Sequence, residues 1–139
     1  MMKPFVLDAS TVIAFLLLED CPNADAVFHQ HLALGATAHV PTLWHLEIRN
    51  VLFLKEHSGK LAVGMAAHAI AQLAGLSIAT DPHTTAPSTL MHIERLMLNH
   101  GLTSYDAAYL ELAFRLSVPL ATQDHELIKA AKALKVARL

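Results

Sequence analysis

The sequence has little of several features that would assign it to a particular class of protein. It contains a single cysteine, Cys21, so it forms no internal disulfide, which fits a reducing, cytoplasmic setting. Lysine and arginine (10) do not outnumber aspartate and glutamate (12), so the formal net charge of −2 excludes a generally basic nucleic-acid-binding surface. The longest apolar run, residues 12–18, is too short for a membrane span of about 20 residues. Because Asp8 interrupts the first apolar segment, we also expect no signal peptide.

Apolar residues, by contrast, are abundant. They make up 54% of the 139 residues, against 16% charged residues, and this proportion predicts that a partner chain covers part of the surface. A chain of this length is large enough to bury a core, and nothing in it resembles a linker or an internal repeat. We therefore predict one domain over residues 1–139.

Short apolar segments alternate with helical patterns along the chain. This alternation predicts a parallel sheet covered by helices on both faces, in a three-layer α/β/α domain. The predicted strands are residues 4–7, 37–40, 76–79 and 118–121, with 136–139 as an additional edge strand. The predicted helices are residues 11–17, 23–34, 43–57, 60–73, 86–100, 103–116 and 126–134.

Two of the predicted strands end on an aspartate that is followed by a helix. Asp8 follows residues 4–7, and Asp124 follows residues 118–121. Side chains at the carboxyl ends of parallel strands meet in a common crevice, so both aspartates are candidate ligands. Aspartate is also a preferred N-cap residue, and the local sequence does not separate the two roles.

Two further acids lie on predicted helices. Glu47 falls within an apolar stripe that runs through residues 43, 46, 50–51 and 54, and Asn50 lies one turn further on, so both are predicted to face inward. An inward carboxylate is costly unless it is paired or bound to a metal, and the alternative is that Glu47 is paired with Arg49 or with a helix on the other side. Asp106 follows Thr103 by three residues, which is the spacing of a capping box, or it projects into a neighbouring crevice.

The four acids together suggest a metal site. If they came together they would repel one another, and hard divalent cations such as Mg²⁺ or Mn²⁺ prefer sites built from oxygen ligands. The ten histidines are scattered and match no common zinc spacing. His125, next to Asp124, is read as a surface residue.

The sequence resembles the PIN-domain family and, within it, the VapC-type toxin ribonucleases of bacteria. Four motifs carry the resemblance from one end of the chain to the other: residues 6–10 (VLDAS), 46–52 (LEIRNVL), 102–109 (LTSYDAAY) and 120–124 (LATQD). Each motif is short, and the match becomes specific through their order and their positions on strands and helices.

The resemblance implies a parallel sheet of order 3-2-1-4-5. It also implies an activity, the metal-dependent hydrolysis of RNA. The protein would be a toxin that forms homodimers and is inhibited by a cognate antitoxin. The residues it implies for the Mg²⁺ or Mn²⁺ site are Asp8, Glu47, Asp106 and Asp124. Ser10 and Thr122 would be hydroxyls that hold a ligand carboxylate or a coordinated water, and Asn50 would support Glu47. Arg49 and Arg95 are candidate RNA contacts.

Two other classes of protein remain as alternatives. A phosphoacceptor receiver domain also places aspartates at strand ends, but it needs adjacent acids near the first strand and a lysine after the last. Here Lys3 precedes the first strand, and the late lysines lie within a helix. A catalytically silent binding module that kept the fold is the second alternative, against which the four intact acids argue.

Overall fold

A computed structural model describes residues 2–139 of the chain. The elements in chain order are β1 (Phe5–Leu7), α1 (Ala9–Leu16), α2 (Pro22–Val27), a π-helical turn (Phe28–Leu32), β2 (Ala38–Val40), α3 (Leu43–His57), α4 (Met65–Leu73), β3 (Ile78–Thr80), α5 (Pro87–His100), α6 (Ser104–Leu116), β4 (Leu120–Ala121) and α7 (His125–Ala133). No helix within residues 2–139 has the length and apolar character that crossing a bilayer requires.

The four strands form one parallel sheet in the order β3-β2-β1-β4, as predicted. The predicted edge strand at residues 136–139 is reduced to a single parallel bridge between Leu120 and Arg138. Two backbone hydrogen bonds accompany it, from Leu120 N–H to Ala137 O (2.9 Å) and from Leu139 N–H to Leu120 O (3.0 Å). The end of the chain therefore lies beside β4, in the place of the fifth strand.

The central strand β1 explains why the sheet needs helices on both faces. Phe5, Val6 and Leu7 are all fully buried, as expected for a strand of a parallel sheet that is covered on both sides. Helix α6 packs against β1, β2 and β4, and α5 and α7 pack against α6. Helices α1 to α4 pack against one another. This is the predicted α/β architecture.

The predicted helix 60–73 is shorter than expected. Residues 58–64 form turns, and α4 begins only at Met65. Gly59 and Gly64 both have a positive φ (81° and 85°), a left-handed conformation that ends α3 and delays the start of α4. The predicted helix 23–34 also changes character, since the α-helix ends at Val27 and continues as a π-helical turn.

The prediction for α3 was wrong about which face is inward. Trp44, Ile48 and Leu52 are its buried residues, whereas Leu46 and Leu54 are 72% and 58% exposed. The helix carries two apolar stripes, and the core uses the uninterrupted one at four-residue spacing. The predicted stripe through residues 43, 46, 50–51 and 54 lies largely on the surface.

Candidate active site

The site lies where β1 and β4 end side by side. Leu7 pairs with Ala121 in the sheet, so Asp8 and Thr122 follow at the same edge. The Asp8 N–H extends the pairing by donating to Ala121 O at 2.9 Å. This is the edge at which ligands of open parallel sheets bind.

Asp8 is buried, with 4% of its surface exposed, and two hydroxyl groups hold its carboxylate. Thr122 Oγ1 donates to Asp8 Oδ2 at 2.6 Å, and Ser10 Oγ donates to the same oxygen at 2.7 Å. Burial raises the pKa of Asp8, the hydroxyl hydrogen bonds oppose this, and the charge of Asp124 adds to the increase. Asp8 has the N-cap position of α1, but its side chain makes no capping hydrogen bond. Its carboxylate accepts the Thr122 and Ser10 hydroxyls instead.

The two hydroxyls also tie the β4–α7 turn to Asp8. Ser10 Oγ accepts the Gln123 N–H at 3.0 Å, and Thr122 Oγ1 accepts the Asp124 N–H at 3.1 Å. Each hydroxyl thus accepts one hydrogen bond from the turn and donates one to Asp8. In this structure Ser10 and Thr122 orient a carboxylate, which is one of the two roles predicted for them.

Glu47 reaches the site from α3. It lies beside the buried stripe of that helix rather than within it, and it is half-buried. The Tyr109 hydroxyl donates to Glu47 Oε1 at 2.9 Å. Burial raises the pKa of Glu47, the Tyr109 hydrogen bond opposes this, and the charges of Asp8 and Asp106 raise it further.

Asp106 and Asp124 complete the cluster from the starts of α6 and α7. Burial raises the pKa of Asp106, and the nearby charges of Asp124 and Asp8 add to the effect. Of the two aspartates, Asp124 caps its helix with its own side chain, whereas Asp106 is the residue whose N–H is capped by Thr103. Thr103 Oγ1 accepts the Asp106 N–H at 3.2 Å, and Asp124 Oδ1 accepts the Leu127 N–H at 2.8 Å. Asp124 therefore caps α7 and acts electrostatically on the other acids at the same time.

The chemistry of this donor set fits a hard divalent cation. Carboxylate oxygens come from two strand ends and two helices, and they act on one another as like charges. Within the described residues 2–139, no three histidine, cysteine, aspartate or glutamate side chains are arranged as a ready-made metal-binding group. The acids are nevertheless close enough to act on one another electrostatically, and Mg²⁺ or Mn²⁺ suits their oxygens by ligand type.

The other predicted site residues lie outside the cluster. Asn50 is exposed, so the prediction that it faces inward is wrong. It lines a surface groove with Glu47, and so does Arg49, whose guanidinium donates to His45 O on its own helix at 2.9 Å. Arg95 lines a different pocket, beside Glu111 of α6. His125 is exposed at the start of α7, in agreement with its reading as a surface residue.

Two residues of the site were missed from the sequence. Tyr109, fully buried, is the side chain that supports Glu47. Gln123 lies between Thr122 and Asp124, and its amide donates to Thr11 Oγ1 (3.1 Å) and Asn23 Oδ1 (2.7 Å). The spacing of Tyr109, one helical turn after Asp106 and thus on the same face, is a signal that could have found it.

Comparison with known proteins identifies the family. The model of the PIN domain family matches residues 5–133, which is nearly the whole chain. Among curated proteins, no match is found.

The fold is shared with solved structures of other proteins. PAE2754 from Pyrobaculum aerophilum is 24% identical, with a TM-score of 0.66 over 94% of this chain and 79% of that one. FitAcB from Neisseria gonorrhoeae is 19% identical, with a TM-score of 0.61 over 99% of this chain and 96% of that one. VapBC2 from Rickettsia felis, solved bound to a DNA fragment from its promoter, is 14% identical. Its TM-score is 0.65 over 100% of this chain and 98% of that one. At these identities the likeness shows the fold alone.

Proposed function

The chain belongs to the PIN-domain family, and from this premise we propose that it is a metal-dependent endoribonuclease, the toxin of a toxin–antitoxin pair. PIN domains are generally nucleases. The RNA substrate, the metal and the toxin role go beyond the family and rest on the VapC-like motifs together with the site. We take residues 1–139 as a single catalytic domain acting in the cytoplasm.

One observation carries the proposal. Four carboxylates from separate parts of the chain come together at the carboxyl edge of the sheet, and three of them have a raised pKa. Burial and mutual repulsion cost stability, and the fold has no need of such a cluster for packing. A site that holds a divalent cation against a phosphodiester accounts for it.

The residues divide the work of the proposed reaction between them. Asp8, Glu47, Asp106 and Asp124 would hold Mg²⁺ or Mn²⁺. When bound, the cation would polarise the scissile phosphate and lower the pKa of a water molecule for in-line attack. Ser10 and Thr122 keep Asp8 in one orientation through their hydrogen bonds to Oδ2.

The protein itself offers few positive charges to the substrate near the acids. Arg49 lies on the same groove as Glu47 and is our candidate for a phosphate contact. Its guanidinium already donates to a backbone carbonyl, so it is presented from a fixed position on α3. The cation would therefore supply much of the attraction for the RNA backbone, and binding would depend on the metal as well as on salt.

The exposed face of α3 supports the proposal of protein partners. Leu46 (72% exposed), Phe53 (46%) and Leu54 (58%) lie along a groove that also contains Glu47. An antitoxin segment lying in this groove would cover the apolar side chains and reach the acidic site. Trp44, on the same helix, is buried and contributes nothing to this surface.

The decisive experiment is to incubate the purified chain with total RNA, with Mg²⁺, with Mn²⁺ and with EDTA, and to map the new RNA ends. We expect cleavage only with a metal, and an Asp8→Asn variant should lose it. The matched control is Asp25→Asn, which changes an exposed aspartate on α2. An Asp8→Asn protein that cleaves at the wild-type rate would refute the proposal.

The proposed homodimer has its own test. Sedimentation of the purified chain should show a dimer at micromolar concentration, because the exposed apolar side chains would be shared between two copies or covered by the antitoxin. A monomer at every concentration would contradict the dimer and leave the ribonuclease proposal standing.

A further inference from the structure

Tyr109 connects two parts of the acidic cluster without being an acid itself. Its ring is fully buried in α6, and its hydroxyl donates to Glu47 Oε1 at 2.9 Å. This hydroxyl group thus joins α6, which also carries Asp106, to the carboxylate of α3.

Glu47 depends on this contact for its orientation. Within residues 2–139, no other side chain donates a hydrogen bond to it. Its neighbours on α3 do not help, since Arg49 donates to His45 O and Asn50 is exposed. A half-buried glutamate at the rim of an open groove has several rotamers, and one hydrogen bond from a rigid ring selects among them.

We propose that Tyr109 is a positioning residue of the metal site: its hydroxyl holds the Glu47 carboxylate toward Asp8 and Asp106. This inference rests on the proposed function, because it assigns Glu47 as a metal ligand. The ring alone would fill the core equally well as phenylalanine. The hydroxyl is therefore the part of the residue that serves the site, and carboxylates that bind metals are commonly held by such outer hydrogen bonds.

The experiment measures binding of Mn²⁺ alone to the metal-free full-length chain, by the loss of the free-ion electron paramagnetic resonance signal. The variants are Tyr109→Phe, Glu47→Gln and the double variant. Tyr105→Phe is the matched control, because Tyr105 is the chain's other tyrosine, lies on the same helix and is 61% exposed. Thermal unfolding of each variant with and without Mn²⁺ is recorded in parallel.

We expect Tyr109→Phe to weaken Mn²⁺ affinity by about tenfold, the usual lower range for an outer-shell partner, and Tyr105→Phe to leave it unchanged. The rise in unfolding temperature on adding Mn²⁺ should shrink correspondingly. In the Glu47→Gln background, Tyr109→Phe should change the affinity by less than about twofold, because both changes remove the same contact.

Three outcomes would overturn the inference. In the first, the Tyr109→Phe variant is less stable or folds only in part, but the folded fraction binds Mn²⁺ with the affinity of the wild type. Tyr109 would then have a structural role only. In the second, the loss of affinity persists in full in the Glu47→Gln background, so that Tyr109 acts elsewhere. In the third, the wild type binds no Mn²⁺, and the proposed metal site fails along with the inference.

Discussion

Arg115 holds two buried carboxylates outside the acidic cluster, and its removal gives the sharpest test of what stabilises this fold. Its guanidinium donates to both oxygens of Glu111 (2.8 and 2.9 Å) and to both oxygens of Asp81 (3.2 and 2.7 Å). Glu111 is 2% exposed and Asp81 is 7% exposed. The network ties α6, which carries Asp106, to the end of β3.

The perturbation is Arg115→Met, which keeps an unbranched side chain of high helix propensity and removes the charge. Glu111 then loses the partner of both its oxygens, whereas Asp81 keeps hydrogen bonds from the His83 N–H (3.1 Å) and Thr84 Oγ1 (3.3 Å). Removing one partner of a buried ion pair costs about 3–5 kcal/mol. Because the Arg115 side chain is 29% exposed, water reaches the vacated position, and we expect about 3 kcal/mol.

The assay is urea unfolding followed by tryptophan fluorescence, since Trp44 is the single tryptophan and is 2% exposed. The pH dependence is a second readout. Burial would raise the pKa of Asp81, but hydrogen bonds from Arg115 and the His83 N–H outweigh it and hold that pKa below its usual range. A lowered carboxylate pKa stabilises the fold above the unfolded-state value, near 4, and this contribution is lost as the pH falls further. The difference between wild type and variant should therefore shrink below about pH 4.

The matched control is Lys129→Met, which removes an exposed basic side chain from α7 and should change stability by less than about 0.5 kcal/mol. The double variant Arg115→Met/Glu111→Leu should recover part of the loss, because the orphaned carboxylate is gone. A loss below about 1 kcal/mol at pH 7 would refute the reasoning. So would a difference that stays constant from pH 7 to pH 3.5.

Three further predictions concern other parts of the molecule. Asp106→Asn should raise the unfolding temperature of metal-free protein at pH 7.5, because the raised pKa of Asp106 means that its ionised form destabilises the fold. The gain should vanish as the pH falls through that pKa. Thr122→Val should lower the free energy of unfolding in urea by about 1–3 kcal/mol, because Asp8 loses a buried hydrogen-bond donor. The control Thr85→Val, at an exposed position, should leave that free energy unchanged. Leu18 is 89% exposed and has φ 54°, in the left-handed region that favours glycine. Leu18→Gly should therefore stabilise the chain by about 0.5 kcal/mol in the same assay, and a loss of stability would contradict this.

The sequence predicted the parts of the site that depend on local patterns. Asp8 and Asp124 each follow a short apolar strand and precede a helix, and this pattern is sufficient to place them at one edge of a parallel sheet. The family motifs supplied the sheet order. The element boundaries at residues 60–64 were missed because two glycines, not the apolar pattern, decide where α4 begins.

The parts that depend on tertiary contacts were not predictable in this way. Helix α3 has two apolar stripes, and its own sequence does not reveal that the core takes Trp44, Ile48 and Leu52. The spacing of Tyr109 from Asp106 places both residues on one face of α6, but it does not identify Glu47, which lies 62 residues earlier in the chain, as the partner of the hydroxyl. A buried tyrosine needs a hydrogen-bond partner, but the sequence alone does not identify the partner.

The way in which the acids are held explains how the site keeps its charge. Across residues 2–139, the salt bridges of the structure are those of Arg115, which lie outside the cluster, whereas Asp8 and Glu47 are held by hydroxyl groups. An arginine among these acids would relieve their repulsion and would also occupy the oxygens that a metal needs. Neutral donors fix the orientation and leave the negative charge uncompensated. At the proposed metal site, protons would compete with the cation for the same oxygens. The metal affinity should therefore rise with pH until the acids of raised pKa are fully ionised.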